Sequence, residues 1–249
     1  MTRNPKRLET RVAQEDRRRA VLGRHRGAQP PSGIVLVLHG GKVRSKEAVS
    51  PTNFAYLRMR PFAAAIARRA GRSGAGAASG SGEASGTGRI GALLLRDRFR
   101  GWNDEDADPV TDAIWALERI EQRYGPIPVV LLGHSMGGRA ALRAAGHPTV
   151  TGVVALAPWL PEGEPVEQLD GRSVLIAHGE LDTITAPANS RAYAERAKAD
   201  GADVEYREIP GAKHAMLADA STWHALAAEF AVGHLAARLA DAANGYHSS

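Results

Sequence analysis

The sequence predicts an α/β fold: a mostly parallel, doubly wound sheet of about six strands with helices on both faces. Two observations carry this. Short β-rich apolar runs alternate with longer helical patterns, which is how parallel strands joined by crossover helices read. All the runs but the last are nearly continuously apolar, as strands covered on both faces require.

The runs are Ile34–Leu38, Ile90–Leu95, Val129–Leu132, Val150–Leu156, Val174–Ala177 and Val204–Ile209. The last alternates in polarity and carries Glu205 and Arg207, so an edge strand is predicted there. Helices are predicted over Arg58–Ala70, Pro109–Tyr124, Met136–Ala145, Ala186–Asp200 and Ser221–Ala240. In the second, Val110, Ala113, Ile114, Leu117 and Ile120 recur at 3–4 spacing, Pro109 suits a first turn, and Gly125-Pro126 stops the helix. Ligand sites in such sheets lie beyond the carboxyl ends of the strands.

A chain of 249 residues with 43% apolar content fits one large domain. No stretch approaches the roughly 20 apolar residues of a membrane span. No apolar segment follows the basic start, so no secretory signal is read and a cytoplasmic location is expected. The chain has no cysteine, which excludes disulfides, thiolate metal sites and a cysteine nucleophile.

The net charge of +5 is unevenly placed: residues 1–30 carry +6 and the remainder −1. No aromatic residue lies in this arm to stack on bases, and no nucleic-acid partner is expected. Gln29-Pro30-Pro31-Ser32-Gly33 marks a boundary. The expected organisation is a basic arm at 1–32, helical or without fixed structure, a catalytic domain at 33–240 and a tail at 241–249. Residues 71–88 hold seven Gly, four Ser and four Ala, and a flexible insertion without catalytic role is predicted there.

Gly133-His134-Ser135-Met136-Gly137 follows a buried-strand signal and opens a helical one. That context places Ser135 in a tight strand-to-helix turn, with glycines where side chains would collide. A serine hydroxyl needs a base to take its proton and a third group to orient that base. Both follow in order. The run Val174–Ala177 ends in His178-Gly179-Glu180-Leu181-Asp182, and Val204–Ile209 ends in Pro210-Gly211-Ala212-Lys213-His214. Asp182 and His214 thus leave successive strands at the edge where Ser135 sits. Asp170 and Asp203 precede their strands and fall at the opposite edge.

With Leu38-His39-Gly40-Gly41, the motifs Gly133 to Gly138, His178 to Asp182 and Gly211 to His214 resemble the α/β-hydrolase superfamily of esterases, lipases and related acyl hydrolases, over about residues 34–240. The resemblance implies Ser135 as nucleophile, His214 as general base and then acid, and Asp182 as its orienting carboxylate, with Glu180 the rival for the last role. His134, His178 and His224 read as packing or structural residues, with the His134 side chain pointing away from the serine. The oxyanion donors expected are the backbone N–H of Met136 and that of Gly41, or Lys42 beside it. His39 reads as a loop organiser.

Relatives commonly insert a lid domain between later strands, but the span from Pro158 to Ser173 is too short for one, so an open site is predicted. The usual two leading antiparallel strands have no counterpart in residues 1–32. Tyr56, Phe99, Trp102, Met136, Trp159 and Leu160 are the candidate pocket residues, an apolar lining for the acyl or alcohol part of an ester. Arg96, Arg98 and Arg100 read as a solvated loop partly neutralised by Asp97, Asp104, Glu105 and Asp106. No metal or nucleotide motif is present, and no cofactor is expected. The reading is a serine hydrolase of carboxylic esters acting on a small molecule. A thioesterase, amidase or peptidase, acyltransferase or perhydrolase would use the same residues, and a non-catalytic binding protein would lack one of them.

Overall fold

The computed structural model describes residues 19–25, 29–77, 89–217 and 219–245. Seven strands form one sheet: β1 (Val21–Leu22), β2 (Gly33–Leu38), β3 (Ile90–Arg96), β4 (Val129–His134), β5 (Val150–Leu156), β6 (Ser173–Gly179) and β7 (Asp203–Ile209). Their spatial order is β1-β3-β2-β4-β5-β6-β7. All neighbours are parallel except β1 with β3. The six parallel strands are the six runs predicted, each within two residues of its expected bounds.

Period-two alternation divides the core between the two faces. Ile34, Leu36 and Leu38 pack with one hydrophobic cluster, while Val35 and Val37 pack with the other. The first face is covered by α3 (Asp108–Tyr124), α4 (Met136–Arg143) and α5 (Pro187–Ala199), through residues such as Leu117, Ala141 and Tyr193. The second is covered by α2 (Arg60–Ala77) and α6 (Ala220–Gly245), through Phe62, Ile66, Trp223 and Leu235. A short helix, α1 (Phe54–Arg58), precedes α2 and is capped by Asn53, whose side chain accepts from the N–H groups of Ala55 and Tyr56. The chain leaves β2 on one side for β3 and returns on the other for β4. That makes the gap between the carboxyl ends of β2 and β4 the topological switch point.

Three expectations are corrected. The arm is neither a helix nor detached over its described part. Val21 and Leu22 pair antiparallel with Arg96 and Leu95, and Gly23 N–H donates to Leu94 at 3.0 Å. The cause is the open edge of β3, whose unpaired backbone groups are satisfied by this apolar step in an otherwise charged arm. Residues 1–18 lie outside the described residues. Second, residues 71–77, expected as part of a flexible insertion, are helical, because α2 runs on to Ala77 with no proline to stop it; residues 78–88 lie outside the described residues. Third, α6 continues to Gly245, through five residues expected as tail, because Asp241-Ala242-Ala243-Asn244 contains no breaker. Among the described residues, no helix is long and apolar enough to cross a membrane.

Candidate active site

The turn between β4 and α4 sets Ser135 at φ 57° and ψ −117°, in the left-handed region that a side chain makes costly. Packing holds it there. Ser135 N–H donates to Leu156 at 3.0 Å, and its carbonyl accepts from Arg139 and Trp159. Side chains at the flanking glycines would break the turn: a Cβ on Gly133 would lie 2.0 Å from the Gly137 carbonyl oxygen, and one on Gly137 would lie 2.5 Å from that of His39.

The loops after β6 and β7 bring their residues to this serine. His214 Nε2 lies 3.1 Å from Ser135 Oγ, and His214 Nδ1 lies 2.8 Å from Asp182 Oδ2. Asp182 accepts three further hydrogen bonds, from one hydroxyl and two backbone N–H groups. Thr185 Oγ donates to Oδ2 at 2.9 Å, and the N–H groups of Ile184 and Thr185 donate to Oδ1 at 2.8 and 3.0 Å. Burial alone would raise the pKa of Asp182, but the hydrogen bonds from Thr185, His214 and Ile184 outweigh it and hold the carboxyl below its usual range. Asp182 is therefore ionised at neutral pH. Glu180, its rival, instead accepts from Gly211 N–H at 2.9 Å and fastens the loop that carries His214. Asp203 sits at the amino edge of the sheet, where it accepts from Ser173 Oγ.

The loop after β2 approaches from the other side of the switch point. Met136 occupies the first position of α4, where helix geometry leaves its N–H without an intrahelical acceptor. Gly41 lies against it: a Cβ there would sit 2.5 Å from the Met136 sulfur and 2.4 Å from the Arg100 carbonyl oxygen. The Lys42 N–H is committed elsewhere, to Arg100 O at 2.7 Å, which removes it from the candidate donors. His39 organises this loop as expected. Its Nε2 accepts from Asp97 N–H at 3.2 Å while Nδ1 meets the Gly40 carbonyl at 2.7 Å, so Nδ1 carries the proton. Burial lowers its pKa to about 4.

Two histidines read as structural touch the centre directly. His134 does not point clear of it: its Nε2 lies 3.0 Å from the His214 carbonyl oxygen, with the two rings 4.8 Å apart. Burial, with His214 nearby, lowers its pKa to about 3. His178 Nε2 lies 3.1 Å from Asp182 Oδ2. The histidine before the serine and the histidine opening the acid's loop were the available signals, and spacing alone does not show which way either ring turns. His224 packs edge-on against Phe62, as a helix-face residue would.

The residues expected to line a pocket do not converge on one cavity. A cavity of about 190 Å³ lies beside the Gly40-Gly41 turn, and its other walls are His39, Lys42, Val49, Asn53, Phe54, Ala55 and Arg100. None of Tyr56, Phe99, Trp102, Trp159 and Leu160 lines it. Leu160 is buried in the core. Tyr56 packs edge-on against His39, and Phe99 lies under Lys46. Trp102 and Trp159 clasp the Arg139 guanidinium, at 3.9 and 4.7 Å, and border a separate cavity of about 590 Å³. Arg139 explains the difference: it is buried with Glu164, and the indole faces cover its charge. The arginines after β3 are paired, but with other acids than expected. Arg98 binds Asp112 and Asp108, and Arg100 binds Glu47. Among the described residues, no group of three or more His, Asp or Glu converges as metal ligands would.

Comparison with known proteins agrees with this fold. The family model described as serine aminopeptidase, S33, matches residues 80–172, a span that includes Ser135. No curated protein matches the chain. Among solved structures, an alpha-beta serine hydrolase homologue from Coxiella burnetii is similar at TM-score 0.58 and 16% identity, over 84% of this chain and 89% of that one. XC6422 from Xanthomonas campestris, described as an a/b serine hydrolase without lid, is similar at TM-score 0.55 and 17% identity, over 86% and 88%. A monoacylglycerol lipase from Paleococcus ferrophilus is similar at TM-score 0.55 and 17% identity, over 87% and 98%. The sheet order, the strained β4–α4 turn and the likeness to these solved structures together show that the chain has the α/β-hydrolase fold.

Proposed function

We propose that the protein is a serine hydrolase that cleaves small carboxylic esters through an acyl-Ser135 intermediate, with residues 33–240 as its catalytic unit. The observation that carries this is the unbroken line from Ser135 Oγ through His214 to Asp182, with contacts of 3.1 and 2.8 Å. In this reading His214 Nε2 takes the Ser135 proton as Oγ attacks the ester carbonyl. Asp182 stays ionised, fixes the Nδ1–H tautomer and stabilises the imidazolium. His214 then returns the proton to the departing alcohol oxygen. Water repeats the sequence: His214 takes its proton, its oxygen attacks the acyl carbon, and Ser135 leaves as the free hydroxyl. The backbone N–H groups of Met136 and Gly41 stabilise the oxyanion of each tetrahedral intermediate.

The substrate class follows from the mouth. Among the described residues, six large apolar side chains are exposed; Val21 belongs to β1, and the other five, Val43, Phe54, Leu181, Ile184 and Leu217, lie in the segments that follow β2, β6 and β7 at the carboxyl edge of the sheet. The cavity of about 190 Å³ beside Gly40 and Gly41 is below the several hundred Å³ typical of drug-sized ligands, which favours a short acyl group. An apolar mouth over a small cavity suits an ester better than a charged peptide. The description of the matched family favours amides as the second reading.

Both are tested by one panel: p-nitrophenyl acetate, butyrate and octanoate, a butyryl thioester and a p-nitroanilide, with Ser135→Ala as blank. Short oxygen esters are expected to have the highest kcat/KM, with octanoate at least tenfold lower. A p-nitroanilide turned over faster than the esters would replace the ester reading with the amide one.

A further inference from the structure

Asp182 Oδ2, the oxygen that meets His214 Nδ1 at 2.8 Å, meets a second imidazole at 3.1 Å. This is His178, at the carboxyl end of β6 and fully buried. Its protonation follows from its neighbours. Nε2 faces the Asp182 carboxylate and the Thr185 carbonyl, at 3.1 and 3.2 Å, and both can only accept. Nε2 must therefore carry the proton. Nδ1 is then the acceptor, and Ser190 Oγ, buried on α5, lies 2.8 Å from it and supplies the hydrogen. The chain of hydrogen bonds does not end at the carboxylate. It continues through a second histidine to a second serine.

We propose that His178, with its tautomer held by Ser190, is a positioning residue that donates to Asp182 and thereby limits how strongly Asp182 stabilises protonated His214. This rests on the reading of Ser135, His214 and Asp182 as the reacting set. A carboxylate that already receives a hydrogen bond on Oδ2 is a weaker partner for the imidazolium, because part of its charge is satisfied. The base then stays free to accept the Ser135 proton at lower pH. His178 also fixes the plane of the carboxylate, with the N–H groups of Ile184 and Thr185 holding Oδ1 from the other end. The ionisable groups around His214 are Asp182 and His178 from the loop and end of β6 and His134 from the end of β4. Arg58, at the end of α1, acts on His134.

The test uses the full chain and two substitutions. Leu at 178 removes the donor, whereas Gln keeps an N–H at the reach of Nε2. In His178→Leu the acid limb of the kcat/KM profile for p-nitrophenyl butyrate is expected to move to higher pH by about 0.5–1 unit, the net size of a typical hydrogen bond. His178→Gln is expected to restore it to within about 0.3 unit, a margin small against a one-unit environmental shift. A fall in kcat that is uniform across pH, with the limb unmoved, would reduce His178 to a packing residue and overturn the inference. A second measurement stands apart from folding of the variants and from activity. In the wild-type protein the ¹⁵N–¹H correlations of the His178 ring at pH 8 are expected to show Nε2 protonated and Nδ1 bare. The opposite tautomer would also overturn it. If wild type hydrolyses no ester and Ser135 takes no acyl group, the reading of the reacting set fails, while the tautomer still decides the His178–Asp182 bond.

Discussion

The residue before the proposed nucleophile holds the backbone of its proposed base: His134 Nε2 donates to the His214 carbonyl oxygen at 3.0 Å. Because that partner can only accept, Nε2 carries the proton and the buried ring is neutral. The contact ties the loop after β7 to the turn after β4, so the 3.1 Å distance between Ser135 and His214 depends on it. His134→Leu is expected to lower kcat about tenfold with a smaller change in KM, the signature of a misplaced base, since small displacements cost rates of that order or more. An unchanged kcat would show that the His214 loop holds its position unaided.

Gly41 is the second oxyanion donor in this account, and its backbone fits only because it has no side chain. A Cβ would meet the Arg100 carbonyl oxygen at 2.4 Å and the Met136 thioether at 2.5 Å, and the first of these is backbone that cannot swing aside. Gly41→Ala is expected to lower kcat by about 10²–10³, the usual loss of one oxyanion donor, with an unchanged circular-dichroism spectrum. Loss of less than threefold would place the donor elsewhere in the loop.

Arg139 and Glu164 form a largely buried pair in which Glu164 also binds Arg143, and Trp102 and Trp159 cover the Arg139 face. Removing one partner leaves a charge poorly compensated, which for buried pairs costs about 3–5 kcal/mol; here Arg143 remains and the loss is expected near the lower end. Arg139→Met should therefore lower stability more than the double variant Arg139→Met with Glu164→Met. Chemical denaturation of the three proteins checks this, and additive losses would contradict it.

How much of this was legible beforehand can be traced to particular residues. The six parallel strands were readable because Val35 and Val37 face one helical layer while Leu36 and Leu38 face the other, which leaves a continuously apolar run. Ser135, Asp182 and His214 were readable because each ends a strand at the same edge, and topology turns that into proximity. Side-chain direction was not readable. The ring of His134 turns toward a carbonyl 80 residues away and that of His178 toward a buried carboxylate four residues on, and neither direction follows from spacing alone. The surroundings of Arg139 were hidden for a related reason. Trp102, Trp159 and Leu160 are loop residues in sequence, but Glu164 draws Arg139 inward and the tryptophans close over it. Val49, Asn53, Phe54 and Ala55, which line the cavity beside Gly40 and Gly41, lie in and before a five-residue helix too short to leave a periodic signal.

Stability is expected to fall with acid between about pH 6.5 and pH 4. His39 and His134 are held neutral by burial, with pKa values lowered to about 4 and about 3. In that window the unfolded chain binds protons that the folded chain refuses, so each histidine removes about 1.4 kcal/mol per pH unit as pH falls below 6.5. Asp97 acts in the opposite sense. Burial, with Asp112 nearby, raises its pKa well above the usual value, so above pH 3.8 the folded chain holds a proton that the unfolded chain has lost. Asp97→Asn removes that penalty, and its stabilising effect is expected to be larger at pH 8 than at pH 5. Thermal unfolding at the two pH values decides it; a gain larger at pH 5 would contradict the assignment.

Ser135 is proposed to be the group that becomes covalently modified. Intact-protein mass spectrometry after a fluorophosphonate probe, followed by peptide mapping, tests this. One phosphonyl adduct per chain is expected, located on Ser135, absent in Ser135→Ala and at least tenfold slower to form in a variant with His214 replaced by Ala, because the serine then lacks its base. An adduct that persists in Ser135→Ala, or no adduct on the wild-type chain, would contradict it.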